Sequence, residues 1–138
     1  MAYRFFDHTG DFGADFEGAD QAAILREAVR AFAELLTGEQ ASVGSGRALA
    51  IELEASDPAA LLVALGNELV YRFEAEAFLA ADLDVQEVAP GFLRALLRGE
   101  PYDPARHPIA RPVKAVTHHQ AACAAAEHGW RGRLIFDL

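Results

Sequence analysis

The chain has 138 residues, enough for one domain with a real core and too few for two. At 52% hydrophobic residues it can build that core unaided. It has no apolar run long enough to span a membrane, no signal-peptide pattern at Met1–Asp7, and in Cys123 a single cysteine, which excludes an internal disulfide and a cysteine-based zinc site. Cytoplasmic residence is the resulting expectation. A net charge of −9, with Lys114 as the one lysine beside eleven arginines, argues against a protein that grips RNA by its own phosphate contacts, yet suits a basic partner or a bound cation.

In chain order, Tyr3–Asp7 and Gly13–Glu17 are short strand candidates. Leu25, Ala28, Val29, Phe32, Leu35 and Leu36 recur at helical spacing and predict a helix from Gln21 to Leu36. Asp20 caps its start, and Gly38 suits the left-handed residue past its end. Gly38–Arg47 is a turn-rich loop. Leu49, Ile51 and Leu53 alternate with small or acidic residues, which predicts a half-buried strand over Arg47–Glu54. Asp57-Pro58 pairs an N-cap with a first-turn proline and opens a second helix, striped by Leu61, Leu62, Leu65, Leu69 and Phe73.

Phe78–Val88 and Gly91–Arg98 predict consecutive antiparallel strands turning at Pro90-Gly91. Pro101, Pro104 and Pro108 mark an irregular loop. Val113–Ala126 and Trp130–Leu138 predict a final pair joined through Glu127–Gly129. The order ββαβαββββ predicts an α+β fold: one domain, residues 1–138, with a mixed or antiparallel sheet and two main helices packed on it.

Four groups of residues can carry chemistry. Asp7-His8-Thr9-Gly10-Asp11 puts two acids, an imidazole and a hydroxyl in a loop between strands; a hard-cation or acid–base site and a plain hydrogen-bonded turn both fit. Asp137 and Leu138 close a segment that reads as an apolar strand, so packing holds them at a fixed point. If Asp11 lies near them, the crowded carboxylates call for protonation or a cation. Oxygen ligation points to calcium, magnesium or manganese. Lys114-Ala115-Val116-Thr117-His118-His119 falls on a predicted strand, where alternation sends the two histidines to opposite faces. Lys114 suits a carboxylate or a phosphate. Glu100, Asp103 and His107 belong to the proline-marked loop, where a turn scaffold is the expected role. Cys123, set among alanines, reads as a buried inert thiol.

His8-Thr9-Gly10-Asp11, Leu61-Leu62, Asn67-Glu68-Leu69, Gly99-Glu100 with His107, Lys114-Ala115-Val116-Thr117 with His119, and Phe136-Asp137-Leu138 follow one another through the whole chain. In that order and spacing the sequence resembles the archease family from end to end. The resemblance implies a non-catalytic accessory factor of an RtcB-type RNA-splicing ligase. That ligase joins 2′,3′-cyclic phosphate or 3′-phosphate ends of RNA to 5′-hydroxyl ends in tRNA splicing and RNA repair. It uses GTP and divalent metal and passes through a guanylylated histidine; archeases promote the guanylylation and multiple turnover.

The resemblance also implies a divalent ion, calcium above all, on Asp11, Asp137 and a main-chain oxygen of Leu138, and a part for Lys114 in activating the ligase. Asp7, His8 and His119 are secondary candidates. Gly10 and His118 depart from the family pattern, which has alanine and tyrosine there; Gly10 is expected to loosen its loop. Two other classes compete. A general chaperone or folding modulator needs an exposed apolar patch. A metal-dependent hydrolase needs a nucleophile or base beside the carboxylates, and the sequence offers neither convincingly.

Overall fold

The computed structural model describes residues 2–8, 10–38 and 43–138, with His8 described by its backbone alone. Thr9 and residues 39–42 of the turn-rich segment lie outside the described residues. The elements run β1 (Ala2–His8), β2 (Asp11–Gly18), α1 (Gln21–Thr37), β3 (Arg47–Glu54), α2 (Pro58–Glu76), β4 (Phe78–Ala89), β5 (Phe92–Pro101), β6 (Ala115–Ala126) and β7 (Gly129–Asp137). This is the expected ββαβαββββ order of an α+β fold. The strands divide into two sheets, one of order β1-β2-β7-β6 and one of order β3-β5-β4. Every pairing in them is antiparallel.

Local chemistry sets the helix ends as the sequence predicts. The Asp20 carboxylate accepts from the Ala23 N–H, and the Asp57 carboxylate from the Ala60 N–H. Each relieves one of the orphan donors of a first turn, worth about 1 kcal/mol. The Gly38 N–H closes α1 by donating to the Glu34 carbonyl.

The helices join the two sheets. α1 lies against β4 of one sheet and β2 of the other, and α2 lies against β6 and β4. Ile24, Leu25, Phe32, Leu35, Leu61, Leu62, Leu65 and Leu69 are almost wholly buried there, with Phe16, Leu79, Leu83, Leu97 and Leu134. Each such side chain contributes roughly 1.5–3 kcal/mol of burial. α2 comes close against β6 at Gly66, where an added Cβ would stand 2.7 Å from Cγ2 of Val116. The next residue, Asn67, donates to the Val116 carbonyl and accepts from the Val116 N–H, each at 2.9 Å. α2 thereby pins β6 near its start.

β6 is not the regular strand the alternation predicts. Thr117 pairs with Ile135 and Ala122 with Arg133, so five residues of β6 pass while β7 advances two. Residues 118–121 form a bulge, with Gln120 at φ 54°. His118 and His119 fall in it, where regular strand alternation no longer sets their faces; both are exposed.

Candidate functional site

The four-stranded sheet brings the β1–β2 turn and the end of β7 together. β2 pairs with β7 from Phe12↔Phe136 onward, so one step outward Asp11 opens β2 beside Asp137, which closes β7. β6 flanks β7 on the far side: Ala115 pairs with Asp137, and the Lys114 N–H donates to the Asp137 carbonyl at 2.8 Å. β1 flanks β2, with His8 opposite Asp11. Antiparallel pairing therefore sets Asp11, Asp137, Leu138, Lys114 and the backbone of His8 at one edge of the domain. Asp7 pairs with Phe12, so alternation turns it to the opposite face from Asp11.

The bulge adds His119. Its Nε2 lies 3.6 Å from Oδ2 of Asp11, although β7 runs between their strands. A regular β6 would not carry an imidazole across its neighbour. The bulge is itself anchored. Gln120 accepts from the Arg133 guanidinium at 3.3 Å, and Arg133 makes two bonds to Asp15, at 2.7 and 3.1 Å. Arg133 also lies 4.6 Å over the ring of Phe6. The Asp15 carboxylate raises the Arg133 pKa further above its ordinary value.

The β1–β2 turn is compact because His8 pairs with Asp11, leaving two residues between them. Gly10 occupies φ 85°. Glycine takes that conformation without penalty where an alanine is strained. The departure from the family pattern therefore fits the turn and does not simply loosen it.

A strap of residues 102–114 leads from the end of β5 to Lys114. The Ala110 N–H donates to the Leu36 carbonyl at 2.8 Å, which ties the strap to the end of α1. Its root is the scaffold expected of the proline-marked loop. His107 is fully buried, accepts at Nδ1 from the Asp103 N–H, and stacks on Tyr102. The accepting Nδ1 leaves the ring proton on Nε2, which faces Glu100 at 3.5 Å. Glu100 also accepts from the Gly44 N–H and from Arg106, and these partners, Gly44 foremost, hold its pKa below the usual carboxylate value. Near the far end, the Arg111 guanidinium lies 4.7 Å over the ring of Phe12.

The donor set at the edge is of hard oxygens: two carboxylates on adjoining strand ends and the main-chain oxygen that follows. That set fits calcium, magnesium or manganese better than a soft metal. Among the described residues no group of three or more His, Cys, Asp or Glu side chains gathers into a metal-holding cluster. A cation here would complete its shell from main-chain oxygen, water or a partner. The broad open groove of the molecule, about 1090 Å³, lies elsewhere on the same sheet, between Arg4, Asp15, Arg133 and the alanines of β6, and does not include Asp11, Asp137 or Lys114.

Sequence reasoning named Asp11, Asp137, Leu138, Lys114 and His119 but missed the Arg133–Gln120 anchor of the bulge.

The Methanopyrus kandleri protein named archease is 33% identical, with all of each chain covered. The Archaeoglobus fulgidus archease is 27% identical over the same full coverage. The solution structure of protein 1598 from Methanobacterium thermoautotrophicum superposes with a TM-score of 0.73 at 26% identity, covering 99% of this chain and 98% of that one. A Thermotoga maritima crystal structure, described as an archease and possible chaperone, shares the fold at a TM-score of 0.65 and 11% identity, over 96% of this chain and 94% of its own. Residues 3–138 match the archease protein family, and the chain belongs to it.

Proposed function

We propose that this chain is a non-catalytic activator of an RtcB-type RNA ligase, promoting its guanylylation and multiple turnover in tRNA splicing and RNA repair. Family membership over residues 3–138 supports the reading. The observation that carries it is the convergence of Asp11, Asp137 and the Lys114 backbone at one edge of the sheet. Asp11, Asp137 and the main-chain oxygen of Leu138 hold a divalent cation, with calcium, magnesium and manganese all suited to the donors. Such an ion supplies fixed positive charge where carboxylates would otherwise repel. Lys114, exposed beside it, is the residue that acts on the ligase. The net charge of −9 keeps the protein from competing for the ligase's RNA.

The chaperone reading gains nothing from the surface. Its large exposed hydrophobic side chains among the described residues are Tyr71, Ile109 and Leu138, on separate elements. Single exposed apolar residues do not make a client-binding patch.

The test is a ligation assay at limiting ligase with GTP, with and without this protein. Stimulation of turnover is expected, and equal turnover in both arms rejects the reading. Asp137→Ala and Lys114→Ala are each expected to abolish most of the stimulation; wild-type stimulation by either rejects the site assignment.

A further inference from the structure

Residues 118–121 of the β6 bulge have no register partner on β7, yet the bulge is held in a definite shape. Gln120 occupies φ 54°, in the left-handed region that residues other than glycine adopt only under strain. The His119 N–H donates to the Thr117 hydroxyl at 3.3 Å. The Gln120 side chain accepts from Arg133, which is itself bonded twice to Asp15. These bonds fix the chain on both sides of His119. A bulge beside a site re-aims a side chain, and the side chain re-aimed here is His119.

Its Nε2 lies 3.6 Å from Oδ2 of Asp11. That separation is longer than a hydrogen bond. The two side chains are 60% and 39% exposed, where an ion pair contributes little. Neither interaction accounts for a strained bulge, but the separation suits two donors of one metal ion. Donors each roughly 2.0–2.2 Å from an ion stand no more than about 4.4 Å apart. His118, in the same bulge, makes no such approach: the histidine–carboxylate contacts within 4.0 Å among the described residues are His107 with Glu100 and His119 with Asp11. Asp137 lies beside Asp11, one step beyond the Phe12↔Phe136 pair, and alternation puts both on one face of the sheet.

We propose that Nε2 of His119 and Oδ2 of Asp11 are ligands of one divalent ion, and that this ion is manganese in preference to calcium or magnesium. The inference rests on the cation-holding role proposed for Asp11 and Asp137, and adds a nitrogen donor to that site. Calcium and magnesium are hard cations that take oxygen ligands. First-row transition ions accept an imidazole nitrogen beside carboxylates. Of the three ions suited to the carboxylates, manganese is the transition ion. A ligating Nε2 must present its lone pair, so the ring proton sits on Nδ1. The Asp11–His119 pair is the preformed part of the site: among the described residues no third His, Cys, Asp or Glu side chain gathers on it.

The experiment titrates the full-length protein with manganese, calcium and magnesium by calorimetry. It also records pulsed EPR of the manganese-loaded protein, where a directly bound imidazole couples its nitrogen to the electron spin. The wild type is expected to show nitrogen coupling and to bind manganese more tightly than either other ion. Loss of an outer-shell partner alone costs roughly 10–100-fold in metal affinity, so His119→Ala, which removes a ligand, is expected to weaken manganese binding by about ten-fold or more. It should also abolish the coupling and weaken calcium binding less. His118→Ala is expected to keep both the manganese affinity and the coupling. Absence of nitrogen coupling in the wild type, coupling that survives in His119→Ala or is lost in His118→Ala, or an unchanged manganese affinity in folded His119→Ala overturns the proposal. A wild type that prefers calcium or magnesium overturns it as well. Ligase stimulation with a metal site free of nitrogen overturns this inference alone, and nitrogen coupling without ligase stimulation overturns the ligase reading alone.

Discussion

Replacing Asn67 by alanine tests how α2 holds the start of β6. Asn67 sits in the middle of α2, where asparagine is a weaker helix former than alanine by about 0.5 kcal/mol. Its amide makes two bonds to one residue, accepting from the Val116 N–H and donating to the Val116 carbonyl, each at 2.9 Å. Val116 is 4% exposed, so water does not readily replace the lost partner. Two such bonds are worth about 2 kcal/mol together, and a buried group left unpartnered pushes the cost upward. Against the gain in helix propensity, the expected net loss is about 1.5 kcal/mol. That corresponds to a fall in Tm of about 6 °C for a domain of this size.

Urea denaturation measures the loss, and amide exchange at Val116 localises it. The site should respond as well, because Lys114 lies two residues before Val116 and His119 three after it. A loss below about 0.5 kcal/mol, or unchanged exchange at Val116, would show that β6 is held by its pairing with β7 and not by α2.

An extension appended after Leu138 should weaken calcium or manganese binding, followed by calorimetry, while leaving the thermal transition within a few degrees; undiminished metal affinity counts against a ligand role for the end of β7. Burial pushes the Cys123 thiol up to about 11, so it should resist alkylation at pH 8 in the native protein and react at once in urea. Burial, aided by Glu34, which accepts the Tyr3 hydroxyl at 3.1 Å, pushes Tyr3 up to about 12. A raised folded-state pKa means stability that is whole below pH 10 and lost as pH climbs toward 12; phenolate absorbance should show one of the three tyrosines ionising late, and three coincident titrations would refute this. Ala77 ends α2 at φ 52°, so Ala77→Gly should raise stability by about 1 kcal/mol, read from the urea midpoint, and a loss would mean that its methyl group packs usefully.

The helices were legible because each signal was local. Asp20 and Asp57 act within three residues of themselves, and the apolar stripes needed only a 3.6-residue period. The strands were legible from alternation, but their division into two sheets was not, since pairing joins residues as far apart as Phe12 and Phe136. The candidate site divides in the same way. Spacing named Asp11 and Asp137 and left their meeting open; the antiparallel β2–β7 register brings them to adjoining strand ends. Alternation failed at His119 because a bulge is an insertion relative to the partner strand, and a single strand's sequence carries no record of its partner's length.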